Sequence, residues 1–121
     1  MPARPPSEFV VTVCETLAAL GDVRARRMFG GYGISCDGLT FALVSDDTLY
    51  FKVDDANRAS YEALGLEPFR PFTDRPTALS YRPPPDSALD DPRDLLDWAR
   101  PALEAALRAA ARKGRSKGEG R

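Results

Sequence analysis

Apolar residues recur at helical spacing near both ends of the chain and at strand spacing between them. Phe9, Val10, Val13, Leu17 and Leu20 fall in one stripe at 3.6 residues per turn, with Glu8 and Glu15 on the other side. Ser7 precedes the stripe as an N-cap and Gly21 follows it as a stop, so the pattern predicts a first helix between them. Residues 24–53 predict a three-strand meander. Its first strand runs from about Ala25 to Cys36 and contains Gly30, Gly31 and Gly33. Asp37-Gly38 suits a type I′ hairpin turn, whose two central residues need positive φ. The second strand is Thr40 to Val44, Ser45 to Thr48 is the next turn, and Leu49 to Val53 is the third strand. Leu49, Phe51 and Val53 share one face and Tyr50 and Lys52 the other.

Asp54 predicts the cap of a second helix over residues 55–64, ended by Gly65. Residues 68–72 and 78–82 read as two more strands, with Pro71 placing the first at an edge ill suited to pairing. Pro83, Pro84 and Pro85 make a stiff extended link. Asp91 caps a last helix with Pro92 at its first position, where a missing N–H costs nothing. Leu95, Leu96, Ala99, Ala102, Leu103, Ala106 and Leu107 form its apolar stripe. Pro101 lies inside it on the opposite, wet side. The stripe keeps its phase across Pro101, which predicts a kink rather than an end. The predicted fold is α+β, ordered α-β(3)-α-β(2)-α, with a mainly antiparallel five-stranded sheet packed by helices.

A chain of 121 residues is enough for one domain. The expected division is a disordered lead over residues 1–6, one domain over 7–112 and a disordered basic tail over 113–121. Histidine is absent, which removes the usual imidazole base, the Ser-His and Cys-His triads, and histidine-based zinc sites. Cys14 and Cys36 are isolated, read as reduced thiols, and cannot alone complete an all-cysteine zinc site. With no apolar leader and no membrane-length apolar run, a cytoplasmic protein is expected. No metal and no cofactor are expected.

The charge is uneven. Residues 108–121 hold Arg108, Arg112, Lys113, Arg115, Lys117 and Arg121 against Glu119, while the rest of the chain is acidic. Such a tail reads as a solvated end or as a contact for nucleic acid or an acidic partner. Arg24, Arg26 and Arg27 form a second basic group, with Arg24 and Arg26 on one face of a strand and Arg27 on the other. They could anchor an acidic partner surface or a phosphate. One sheet face would present Tyr50, Lys52 and Arg82, a combination able to stack bases if uncovered. The glycines lead into more strand, not a helix, so a β-bulge or close packing of a helix suits them better than a phosphate cradle. Asp46, Asp47, Asp54 and Asp55 lack calcium-loop spacing and fit turns and a cap. Trp98 reads as core or rim packing, and Cys14 as a small buried hydrophobe.

The string Arg27-Met28-Phe29-Gly30-Gly31-Tyr32-Gly33-Ile34, then Asp37-Gly38, Phe41-Ala42-Leu43-Val44 and Leu49-Tyr50-Phe51-Lys52-Val53-Asp54 resembles the N-terminal domain of the TfoX/Sxy family. Asn57, Gly65 and Pro68-Phe69 continue the resemblance, which covers roughly residues 9–110. The family is named for bacterial competence regulators that act as transcriptional co-activators. The resemblance implies the same element order, no catalytic residues and no cofactor. Two-domain members add a helical C-terminal domain, so this chain reads as a stand-alone N-terminal domain.

The leading expectation is a non-enzymatic regulatory or protein-interaction domain whose partner is another protein, transcription machinery included. The second is a weak nucleic-acid-binding module using Arg24, Arg26, Arg27 and the tail residues Arg112, Lys113 and Arg115. The third is a small-molecule sensor or an unrecognised enzyme. The full set of candidate contact residues is Arg24, Arg26, Arg27, Tyr50, Lys52, Arg112, Lys113 and Arg115. Monomer and dimer both stay open, with helix faces the expected route to a dimer.

Overall fold

The computed structural model describes residues 7–28, 30–69 and 80–119, with side chains as far as Lys113. The elements are α1 (Glu8–Leu17), β1 (Val23–Met28), β2 (Gly31–Cys36), β3 (Leu39–Ser45), β4 (Thr48–Lys52), α2 (Arg58–Glu62), β5 (Tyr81–Arg82) and α3 (Pro92–Glu119). Short 3₁₀ turns follow α1 (Ala18–Leu20) and precede α3 (Asp86–Asp90). The strands pair in chain order as a five-stranded antiparallel sheet, β1-β2-β3-β4-β5. The α+β class and the strand count are as expected.

Their distribution differs. The single strand expected over residues 25–36 is two strands, β1 and β2, that pair as a hairpin. Gly30 adopts φ +79°, which lets the chain reverse. The glycines therefore serve a hairpin, not helix packing. Gly33 also leaves room for the Met28 side chain, since a Cβ at Gly33 would collide with the Met28 sulfur. A bulge does occur, one strand further on. Ile34 pairs with Ala42 and Ser35 with Thr40, leaving Phe41 as the extra residue. Phe41 and Ala42 are consequently both buried, which simple alternation would forbid.

Asp37-Gly38 (φ 52° and 87°) and Asp46-Asp47 (φ 51° and 54°) both form turns of the I′ kind. After β4 the strands expected over residues 68–72 and 78–82 reduce, among the described residues, to β5. Pro68 and Phe69 precede it without strand structure, although the Phe69 N–H donates to the Tyr81 carbonyl at 2.7 Å. Residues 70–79, Pro71 included, lie outside the described residues, as do residues 1–6. Helix α2 is shorter than expected and begins after a turn. Asp54 caps that turn, its carboxylate accepting from the Ala56 N–H at 3.0 Å.

All three helices lie on one side of the sheet. Ser7 caps α1 by accepting from the Val10 N–H, and Asp91 caps α3 by accepting from the Arg93 N–H. Val10, Val13 and Leu17 of α1 and Leu95, Ala99, Ala102 and Ala106 of α3 bury against Ile34, Cys36, Phe41, Ala42, Val44, Leu49 and Phe51. The Phe41 and Phe51 rings stack with centroids 6.3 Å apart. Helix α2 joins this layer through Tyr61, which meets Trp98 edge-on at 4.8 Å. Helix α3 runs through Pro101 and on to Glu119, into the stretch expected as tail. Leu107, expected in its buried stripe, is 55% exposed.

Candidate interaction surface

Strand parity decides which side chains face away from the helices. Directly paired residues in an antiparallel sheet point to the same face. Arg26 pairs with Gly33, Gly33 with Leu43, and Leu43 with Tyr50, so these form one row across four strands. Three inter-strand steps make that row roughly 14 Å long. Arg24 and Met28 flank it on β1, and Lys52 continues it on β4 beside Tyr81 of β5. No described helix covers this face.

The candidate residues sort onto two sides. Arg24, Arg26, Tyr50 and Lys52 share the helix-free face. Arg24 and Arg26 are exposed at its β1 edge, and Arg24 makes a local ion pair with Asp22 at 3.2 Å. Tyr50 is half-buried and packs against Phe69, the rings tilted by 32° with centroids 4.3 Å apart. The Lys52 ammonium lies 5.2 Å over the Tyr81 ring. Arg27 points to the helix side, its guanidinium 5.7 Å over the Tyr32 ring. Arg82, expected beside Tyr50, also lies on the helix side because it pairs with Phe51. Its Nη1 donates to the Leu66 carbonyl at 3.0 Å, and its Nη2 lies 3.6 Å from Glu62. It lines an open cleft of about 410 Å³ with Glu62, Gly65, Leu66, Glu67 and Pro68.

The basic residues of the last helix belong to neither group. Arg108 holds Asp54 in a two-pronged ion pair, with Nε 2.7 Å from Oδ2 and Nη2 3.0 Å from Oδ1. This guanidinium lowers the Asp54 pKa below the usual carboxylate range. The Ala56 N–H and the nearby charge of Arg112 act in the same direction, against partial burial. Arg112 and Lys113 are exposed on α3, and the charge of Arg112 reaches Asp54 beyond the end of β4. Arg115 lies further along α3, beyond the described side chains. The structure therefore does not merge the two basic groups into one surface. The Arg24–Arg26 edge and the α3 cations sit on opposite faces.

Three residues whose structural roles the sequence did not reveal shape the surroundings. Buried Asn57 ties the end of β4 to α2. Its Oδ1 accepts from the Asp54 N–H at 2.8 Å and its Nδ2 donates to the Lys52 carbonyl at 3.1 Å. Tyr61 buries a hydroxyl with no partner among the described residues, and burial raises its pKa far above the ordinary range. Arg108 shows no local sign of pairing with a residue 54 positions away. Cys14 and Cys36 are free thiols whose pKa values burial raises, Asp37 and Asp22 adding to the effect at Cys36. Among the described residues no three cysteine, aspartate or glutamate side chains converge as a metal site, and no helix is long and apolar enough to cross a membrane.

The family model described as the TfoX N-terminal domain matches residues 15–106 of the chain. No curated protein matches it.

Proposed function

The chain belongs to the TfoX N-terminal domain family, and from that premise we propose a non-enzymatic, transcription-linked regulatory domain that contacts a protein partner through its helix-free sheet face. A role in competence regulation and a cytoplasmic site of action go with this reading. The observation that supports the contact face is its asymmetry. The helices and core occupy one side of the sheet, while Arg24, Arg26, Met28, Tyr50 and Lys52 stand on the other. A face that combines an exposed methionine, aromatic rings and arginines has the make-up of a protein contact.

Deletion of the gene in its host, followed by transcript profiling, tests the regulatory part. A defined set of transcripts should change at least about twofold, beyond biological scatter, and return on complementation. A profile unchanged by deletion under both growth and starvation overturns the reading.

Arg24, Arg26 and Lys52 on one face also support a second reading, weak binding of single-stranded nucleic acid. It is the poorer fit, because bases need free ring faces. Phe69 already packs against the Tyr50 ring, and Lys52 already lies over Tyr81. A gel shift at low salt that disappears on reversing the charge of Arg24 and Arg26 would favour it.

A further inference from the structure

We propose that the outer edge of β1 accepts an extended acidic segment of the partner protein as an additional strand. The inference deepens the regulatory reading above and rests on it for the existence of a partner.

The argument begins with the edge. Strand β1 is regular over Val23–Met28 and pairs with β2 along its whole length. Among the described residues no strand pairs with its other side. Alternate N–H and C=O groups of such a strand point outward as a template for a further strand. Proteins commonly protect an edge of this kind with charge, and β1 carries Arg24, Arg26 and Arg27 within its span.

Those arginines select the occupant. A second copy pairing antiparallel across a two-fold axis must keep each side chain on its own face. The axis then passes through a residue of β1. An axis at Arg24, Arg26 or Arg27 sets that arginine against its own symmetry mate. An axis at Ala25 sets Arg24 against Arg26 twice. Each of these registers therefore sets at least one pair of arginines face to face, which weakens strand pairing, and only the register at Arg24 offsets this by bringing Asp22 opposite Arg26. A strand with carboxylates at alternate positions meets the same edge with opposite charges. Its acidic side chains fall beside Arg24 and Arg26 on the helix-free face. Arg24 is free to switch from its local partner, since both it and Asp22 are largely exposed. Main-chain pairing supplies affinity and the alternate carboxylates supply selectivity.

The test uses the full chain and three blocked probe peptides, with amide NMR and fluorescence anisotropy as readouts. One peptide alternates glutamate with valine, the second alternates glutamine with valine, and the third is a shuffled glutamate–valine sequence. The alternating acidic peptide should bind saturably below about 1 mM. It should shift β1 amides and slow exchange of the outward-pointing ones. The glutamine peptide and the shuffled peptide should bind more weakly. Arg24→Glu with Arg26→Glu should weaken binding roughly tenfold or more. If that variant does not fold, Arg24→Gln with Arg26→Gln replaces it, with a smaller expected loss.

No saturable binding, shifts confined to other elements, or equal binding of all three peptides would overturn the proposal. So would concentration-dependent self-association that protects β1 amides without peptide. Complementation separates this failure from failure of the regulatory reading. If deletion changes transcripts but the charge-reversed variant restores them fully, the edge proposal falls and the regulatory reading stands.

Discussion

Replacing Asn57 with aspartate tests whether the polar tie between β4 and α2 holds the fold as the geometry indicates. The side chain is 7% exposed, and the substitution conserves its shape. The acceptor role toward the Asp54 N–H survives. The donor role toward the Lys52 carbonyl does not, because an ionised carboxylate would set one oxygen against another. The lost hydrogen bond is worth about 1 kcal/mol, and a buried charge without a matching cation adds a similar amount or more. The nearby Asp54 carboxylate acts in the same direction. A loss of roughly 2–4 kcal/mol at pH 7.5 is expected.

This loss should be conditional on pH. The introduced carboxyl has a folded-state pKa raised above its unfolded value near 4. Below that unfolded value it is protonated in both states and can donate to the Lys52 carbonyl, so little penalty remains. As pH rises from about 4, the unfolded state ionises first and relative stability falls, by up to about 1.4 kcal/mol per pH unit, until the folded-state pKa is passed. Urea unfolding of wild type and Asn57→Asp at pH 4.0 and 7.5 measures the difference directly. A penalty equal at both pH values, or below about 0.5 kcal/mol at pH 7.5, would refute the assigned roles of the two amide atoms.

Arg108→Gln should reduce the urea midpoint at pH 7. Asp54 has a lowered folded pKa, so its contribution exists above the unfolded value near 4 and disappears as pH falls through the folded value. The two unfolding curves should therefore draw together as pH falls from 7 toward 2.5, and a gap that stays constant over that range would contradict the pairing. Tyr61→Phe should leave stability unchanged or raise it by up to about 1 kcal/mol, because the buried hydroxyl has no described partner to lose while the ring contact with Trp98 remains. A loss above about 1 kcal/mol by calorimetry would mean the hydroxyl is bonded. If single-stranded DNA binds the helix-free face, the slope of log affinity against log salt should be no steeper than about −2, set by Arg24, Arg26 and Lys52. A much steeper slope would bring in the cations of α3 instead.

Local signals carried much of the fold. Ser7 and Asp91 announced their helices because a cap is a short-range device. Asp37-Gly38 announced its hairpin because positive φ at two successive positions is a demand that few residues meet. The alternation of Leu49, Phe51 and Val53 set the buried face of β4 without reference to any other strand. Two failures share a cause. Gly30 and Gly31 suit either a bulge or a reversal, and the choice is made by the pairing of residues 23–28 with 31–36, which an apolar pattern interrupted by three arginines does not announce. The burial of Phe41 beside Ala42 carried no local signal, because the bulge that causes it is defined only against Ile34 on the neighbouring strand. Arg82 went to the opposite face for the same reason. With only Tyr81 and Arg82 in β5, its parity follows from the partners Lys52 and Phe51 rather than from its own sequence.

The glycine misreading also concealed the most informative part of the surface. Drawn as one long strand, residues 25–36 make Arg26 and Arg27 the fraying start of an element whose pairing lies elsewhere. Folded back at Gly30, the same arginines stand along a full strand with one side paired and the other facing outward. Their charge then acquires a geometric consequence. It disfavours the two-fold pairings of that edge centred on residues 24–27 while leaving it complementary to acidic side chains. The basic residues of α3, alike in charge and more numerous, cannot share this role from the helix side of the sheet. Net charge along a sequence therefore says little about a contact surface until the turns have assigned each cation to a face.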